Sequence, residues 1–104
     1  MIDEAARKQA LALGREAHAL TETAYRADRA IKGGPGWDDK QRILMADMSL
    51  HLLQTSLQEG ELDLGRLKQN LYAILTIASP FLPSHELARQ AEQLLQDGAD
   101  LTIE

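Results

Sequence analysis

The length, composition and charge of this sequence limit what it can encode. The chain has 104 residues, with 11 Lys and Arg against 16 Asp and Glu and a net charge of −5, which fits one domain over residues 1–104 and disfavours nucleic-acid binding. It contains no cysteine, which excludes disulfides, thiolate nucleophiles and Cys-ligated zinc or iron–sulfur sites.

The sequence carries no mark of a membrane segment or of secretion. No apolar run approaches the roughly 18 to 20 residues that cross a bilayer. The acidic N-terminus, with Asp3 and Glu4, lacks the basic and apolar regions of a signal peptide. We therefore expect a cytoplasmic protein that makes no membrane contact.

Hydrophobic spacing predicts a long first helix over about residues 3–32. Apolar residues recur every three or four positions, as on one face of a helix, and four acid–base pairs at i,i+4 support it. The helix should end at Gly33-Gly34-Pro35-Gly36, because glycine adopts left-handed backbone and proline cannot continue the hydrogen-bond ladder. The apolar positions are Ile2, Ala6, Ala10, Leu13, Ala17, Leu20, Ala24, Ala27 and Ile31.

Three shorter helices are predicted over 38–59, 63–78 and 84–97, each with helical spacing of apolar residues between a capping residue and a breaker. The predicted N-caps are Asp38 or Asp39, Asp63 and Ser84, and the predicted ends are marked by Gly60, Pro80 and Gly98. The tail from Ala99 to Glu104 shows no strong pattern, so we expect coil there.

These elements predict an all-α fold, a four-helix antiparallel bundle-like domain with one long N-terminal helix. The first helix is longer than its companions, so part of its apolar side needs cover from the two shorter helices or from a second chain. Small residues on that side allow close helix approach, which favours a homodimer. The predicted dimer seam consists of Ala10, Leu13, Ala17, Leu20 and Ala24.

The histidines are the first candidates for metal binding or catalysis, since imidazole titrates near neutrality and binds transition ions. Asp47 and His51 lie one turn apart on the second helix, whereas His18 and His85 are expected on polar faces. A di-metal bundle would need Glu-x-x-His on two helices, and that motif does not occur. We therefore predict a hydrogen-bonded pair, with no catalytic residue, no metal and no cofactor.

The leading hypothesis for function is a non-enzymatic protein-interaction module, such as an adaptor, an inhibitor or a toxin-neutralising protein. Its acidic C-terminal half suits a basic partner protein. The few aromatic residues and their apolar neighbours supply the large contact area that interfaces use, although Trp37 could equally pack on its own hairpin. The predicted partner-binding residues are Trp37, Phe81, Leu82 and Tyr25.

A competing hypothesis is a small-ligand or metal-dependent helical enzyme with its site inside the bundle. That site would use Asp47 and His51, with Tyr72 as a further member. Stabilisation by divalent metals or nucleotides would favour it over the interaction module, because ligands that bind the native state raise its stability.

Overall fold

A computed structural model describes the backbone of residues 2–103 and the side chains of residues 2–96. Within that part the chain is 80% helical with four α-helices and no strands, which confirms the all-α, bundle-like prediction. The helices, numbered α1 to α4 in chain order, are Glu4–Ala27, Trp37–Leu57, Leu64–Ala78 and Leu87–Ile103. Two short 3-10 turns, Ser79–Phe81 and Pro83–His85, connect α3 to α4.

The first helix ends five residues earlier than predicted, at Ala27 rather than at residue 32. Asp28 is extended, with φ −78° and ψ 121°, and its carboxylate accepts the Ala30 amide at 2.9 Å. The carbonyl of Asp28, which would receive the Lys32 amide in a longer helix, instead receives the Lys40 ammonium at 2.8 Å. That ammonium also lies 4.8 Å from the centre of the Tyr25 ring, a favourable cation–π distance.

The caps of α2 and α3 illustrate two different ways to begin a helix. Asp63 caps α3 as predicted, because its carboxylate accepts the Arg66 amide at 3.1 Å. The prediction that Asp38 or Asp39 caps α2 is wrong, since the N-cap is Gly36, whose φ of 78° lies in the left-handed region. A glycine adopts that backbone without strain. Both aspartates lie in the first helical turn, where their negative charges interact favourably with the positive end of the helix dipole.

The fourth helix differs from its prediction at both ends. Ser84 lies in a 3-10 turn, and α4 begins at Leu87 after Glu86 takes a left-handed φ of 51°. The prediction of coil over Ala99–Glu104 is wrong for residues 99–103, since α4 passes through Gly98 and continues to Ile103, while Glu104 lies outside the described residues. A glycine inside a helix costs only about 1 kcal/mol, and no proline follows Gly98 to end the helix.

The helices pack mainly on their neighbours in the chain: α1 on α2, α2 on α3 and α3 on α4. The result is a flat particle of 45 × 35 × 19 Å. Its radius of gyration is 15.7 Å, whereas about 13 Å is typical for this length. Only Leu11 and Ala91 are buried apolar residues among the described side chains, and none of the large ones there is fully buried. Much apolar surface therefore faces outward.

In the part of the chain that the structure describes, none of the helices combines the length and the apolar character needed to span a bilayer.

Candidate functional site

The most specific arrangement of polar side chains lies between α1 and α2. The α1 residues that face α2 recur every three or four positions, so they form one stripe on the helix. Gly14 lies in the middle of the stripe, and its lack of a side chain lets Leu53 of α2 come close. The other members of the stripe are Arg7, Leu11, His18 and Thr21.

Beyond Gly14, the two helices bring together His18, Thr21, Asp47 and His51, the four residues that we call the His–Asp cluster. The Nε2 atoms of His18 and His51 are 3.0 Å apart. Asp47 Oδ1 lies 3.3 Å from His18 Nε2, and Asp47 Oδ2 lies 3.5 Å from His51 Nε2. The Thr21 hydroxyl donates to Asp47 Oδ1 at 2.7 Å, so each residue of the cluster contacts at least one other.

The side chains of the His–Asp cluster differ in solvent exposure, with Asp47 the most buried of the three titratable groups and His51 the most exposed. The side chain of Asp47 is 8% exposed, that of His18 is 20% exposed and that of His51 is 39% exposed. The two rings meet edge to face, with an interplanar angle of 88° and centroids 4.6 Å apart. The carboxylate is therefore shielded from water, while the His51 side of the cluster remains open to it.

Asp47 has an unusual set of charged neighbours for a buried carboxylate. Buried charges are ordinarily paired with an opposite charge and hydrogen-bonded. Across the described side chains, no Lys or Arg forms an ion pair with Asp47, and the titratable groups beside it are the two imidazoles. A protonated imidazole or a bound cation would therefore supply the compensating positive charge.

The sequence predicted one half of this cluster and missed the other. Asp47 and His51 lie side by side as their spacing on α2 indicated. The expectation that His18 occupies a polar face is wrong, because His18 packs against His51 across the helix pair. The missing information is the register of the α1–α2 pair, in which His18 lies against His51 and Thr21 lies against Asp47. Tyr72 of α3 is half-buried and makes none of the hydrogen bonds described for the cluster.

The predicted dimer seam lies on a different side of α1 from the His–Asp cluster. Leu13 is 58% exposed and Leu20 is 73% exposed. Ala24 is exposed too, while Ala10 and Ala17 are half-buried. We call these five residues the apolar strip. The strip does not pack into the interior of the chain, so its apolar surface is available to a partner.

A shallow groove of about 530 Å³ runs beside the apolar strip, between α1 and α2. Leu20, Thr21 and Ala24 contribute its α1 wall, and Ile43 and Ala46 contribute apolar surface from α2. Asp39 and Arg42 lie in the same lining, 3.5 Å apart and largely exposed. The groove therefore combines an apolar floor with one charge of each sign.

The predicted partner-binding residues separate into two pairs. Tyr25 and Trp37 are half-buried, and their ring centroids lie 4.8 and 6.0 Å from the Lys40 ammonium. That ammonium donates to the Asp28 carbonyl in the connection between α1 and α2. Phe81 and Leu82, which are 38% and 47% exposed, lie in the connection between α3 and α4. Tyr25 and Trp37 are therefore the less accessible pair, and Phe81 and Leu82 are the more accessible one.

A second groove, of about 610 Å³, lies near the N-terminus of α1 and carries a surplus of positive charge on a chain that is acidic as a whole. One of its cations, Arg7, donates to the Leu57 carbonyl at 3.0 Å and to Glu4 at 2.6 and 2.9 Å. The hydrogen bonds from Arg7 lower the pKa of Glu4 below its ordinary value. The charged residues in the lining are Arg7, Lys8, Arg15, Arg66 and Glu59.

Comparison with known proteins found no matching family model, no matching curated protein and no matching solved structure.

Proposed function

We propose that this chain is a non-enzymatic protein-interaction module that self-associates through the apolar strip of α1. The observation that carries the proposal is the exposure of Leu13 and Leu20, 58% and 73%, on a helix whose other side is occupied by α2. Large apolar side chains in a row along one exposed helix side favour a helix from another chain as cover.

The amount of exposed surface supports a second copy as that cover. A monomer of 11.5 kDa typically exposes about 5,800 Å². This chain exposes 7624 Å², which is roughly 1,800 Å² more than that size relation gives. A standard interface buries about 800 Å² on each partner, so the surplus is large enough for a stable contact.

The charges beside the strip fit a symmetric pairing. A two-fold interface brings the same patch from both copies together, so the patch must complement itself. Asp39 and Arg42 both border the groove next to Leu20. A two-fold axis through this edge would set Arg42 of one copy opposite Asp39 of the other, with the apolar strips meeting between them.

The proposal extends to an adaptor or inhibitor role in the cytoplasm, with a basic protein as the second kind of partner. Residues 61–104 contain seven acidic and three basic residues, which favours association with a positively charged surface. Phe81 and Leu82, exposed in the same half of the chain, supply the apolar contacts for that partner.

Light scattering coupled to size-exclusion chromatography tests self-association directly. We expect a mass twice the 11.5 kDa of one chain, with a monomer fraction that grows on dilution by mass action. A mass of one chain at every concentration up to the millimolar range would overturn the proposal.

A further inference from the structure

The His–Asp cluster places three metal-ligating atoms close to one point between α1 and α2. His18 Nε2, His51 Nε2 and a carboxylate oxygen of Asp47 all lie within 4.8 Å of one another. We infer that these three residues bind a divalent transition-metal ion, with Zn²⁺ as the best-fitting ion. This inference does not depend on self-association, because none of the three proposed ligands belongs to the apolar strip.

The nitrogen–nitrogen distance and the shortest nitrogen–oxygen distances in the cluster are close to those of a tetrahedral zinc site. With bonds of about 2.0 to 2.1 Å and tetrahedral angles, neighbouring ligand atoms stand about 3.3 Å apart. The two Nε2 atoms are 3.0 Å apart. Asp47 Oδ1 lies 3.3 Å from His18 Nε2 and Asp47 Oδ2 lies 3.5 Å from His51 Nε2, and one carboxylate oxygen lies within 4.8 Å of both nitrogens. Shifts of a few tenths of an ångström, within the reach of side-chain rotation, would complete the geometry.

The number of hydrogen-bond donors in the cluster gives a second reason to expect a bound cation. Two neutral imidazoles whose Nε2 atoms stand 3.0 Å apart hydrogen-bond only if one of these atoms carries a proton and the other offers its lone pair. That single hydrogen bond leaves Asp47 with the Thr21 hydroxyl as the donor nearest to it, at 2.7 Å. A dication bound to both Nε2 lone pairs and to the carboxylate would satisfy all three ligands. It would also compensate the negative charge of Asp47, whose side chain is only 8% exposed.

The donor set selects the class of ion. Two imidazole nitrogens and one carboxylate suit zinc and its transition-metal neighbours, whereas Mg²⁺ and Ca²⁺ prefer ligand sets made of oxygen. Three protein ligands leave a fourth tetrahedral position for water, and the 39% exposure of His51 opens the cluster to solvent on that side. Thr21 supports the carboxylate from outside the ligand set, in the manner of residues that orient metal ligands.

Isothermal titration of the tag-free chain with Zn²⁺ tests the inference, and His85 provides a matched control. We expect one Zn²⁺ per chain in the wild type, with binding weakened by more than about 100-fold in His18→Ala and in His51→Ala, since the loss of a ligand should exceed the 10- to 100-fold effect of an outer partner. His85→Ala should bind as the wild type does, because His85 is exposed in a 3-10 turn away from the cluster. Thr21→Val should fall between these extremes.

Two measurements on the unmodified chain keep the test independent of how the variants fold. Zn²⁺ should raise the melting temperature, while an equal concentration of Mg²⁺ should not. Co²⁺ should give the intense visible absorption of a four-coordinate ion, and this absorption should be lost on addition of Zn²⁺. Absence of Zn²⁺ binding by the wild type would overturn the inference. So would equal binding by folded His18→Ala, or loss of binding in His85→Ala alone.

Discussion

Gly14 of α1 lies so close to Leu53 of α2 that a β-carbon on residue 14 would stand 2.5 Å from Leu53 Cδ2. This contact brings the two helices together one turn before His18, and it places the His18 ring against His51. The absence of one side chain on α1 therefore helps to set the geometry of the His–Asp cluster.

Substitutions at Gly14 should gain helix propensity but lose stability through steric contact with Leu53. In Gly14→Ala, the gain of about 1 kcal/mol in helix propensity is opposed by displacement of the flexible Leu53 methyl, so we expect a net change within about 1 kcal/mol. Gly14→Val adds a branched side chain that rotation of Leu53 cannot accommodate, and overpacking of this kind costs about 1 to 3 kcal/mol. Urea denaturation of both variants measures these differences, and a Val variant as stable as the wild type would contradict the close contact.

The predicted dimer makes Leu20 the most informative position on the apolar strip. Leu20→Glu places a charge in the centre of the proposed interface, where burial without a partner is costly. We expect the variant to be monomeric by light scattering while its far-UV circular dichroism stays unchanged, because the side chain is 73% exposed within one chain. Leu95→Glu on α4 is the matched control, since Leu95 is 46% exposed and lies off the strip. Dissociation by both variants, or by neither, would count against the assigned interface.

Local signals were sufficient for much of the fold. The predicted second and third helices, 38–59 and 63–78, differ from the observed Trp37–Leu57 and Leu64–Ala78 by at most two residues at any end. Their boundaries depend on nearby residues such as Gly60 and Asp63, which act within a few positions. The end of α1 was missed because Lys40, twelve residues away, binds the Asp28 carbonyl, and sequence periodicity carries no trace of such a contact.

In the candidate site, too, contacts within one helix could be predicted from the sequence and contacts between helices could not. Asp47 and His51 share one helix face, so their spacing alone brings them together. His18 joins them only through the register of two helices, and that register depends on the Gly14–Leu53 contact and on the connection at Asp28. Spacing along one helix cannot reveal a ligand set that two helices share.

The ion pair of Glu4 and Arg7 predicts an acid-dependent contribution to stability. Arg7 lowers the pKa of Glu4 in the folded chain, so the pair stabilises the fold above the unfolded-state pKa, and this contribution is lost as pH falls through the folded-state value. We expect Glu4→Gln to have a lower melting temperature than the wild type at pH 7, with the two converging in acid. The difference should shrink in high salt, because Glu4 is exposed.

The control for that measurement is Glu16→Gln, which removes a charge from an exposed glutamate of the same helix. Glu16 forms no ion pair with any residue whose side chain is described, so its variant should keep the wild-type dependence on pH. An equal response of both variants would show that net charge, rather than the Arg7 contact, determines the effect.

Thr55 provides a test of how α2 is joined to α3. It is 6% exposed, and its hydroxyl donates to the side-chain oxygen of Asn70. Thr55→Val keeps the shape but leaves the Asn70 oxygen without this donor, so we expect a loss of about 1 to 2 kcal/mol in the free energy of unfolding. Thr55→Ser retains the hydroxyl and should lose less, since it gives up only one methyl group. Chemical denaturation compares the three proteins, and a valine variant more stable than the serine variant would show that apolar packing, not the hydrogen bond, dominates this contact.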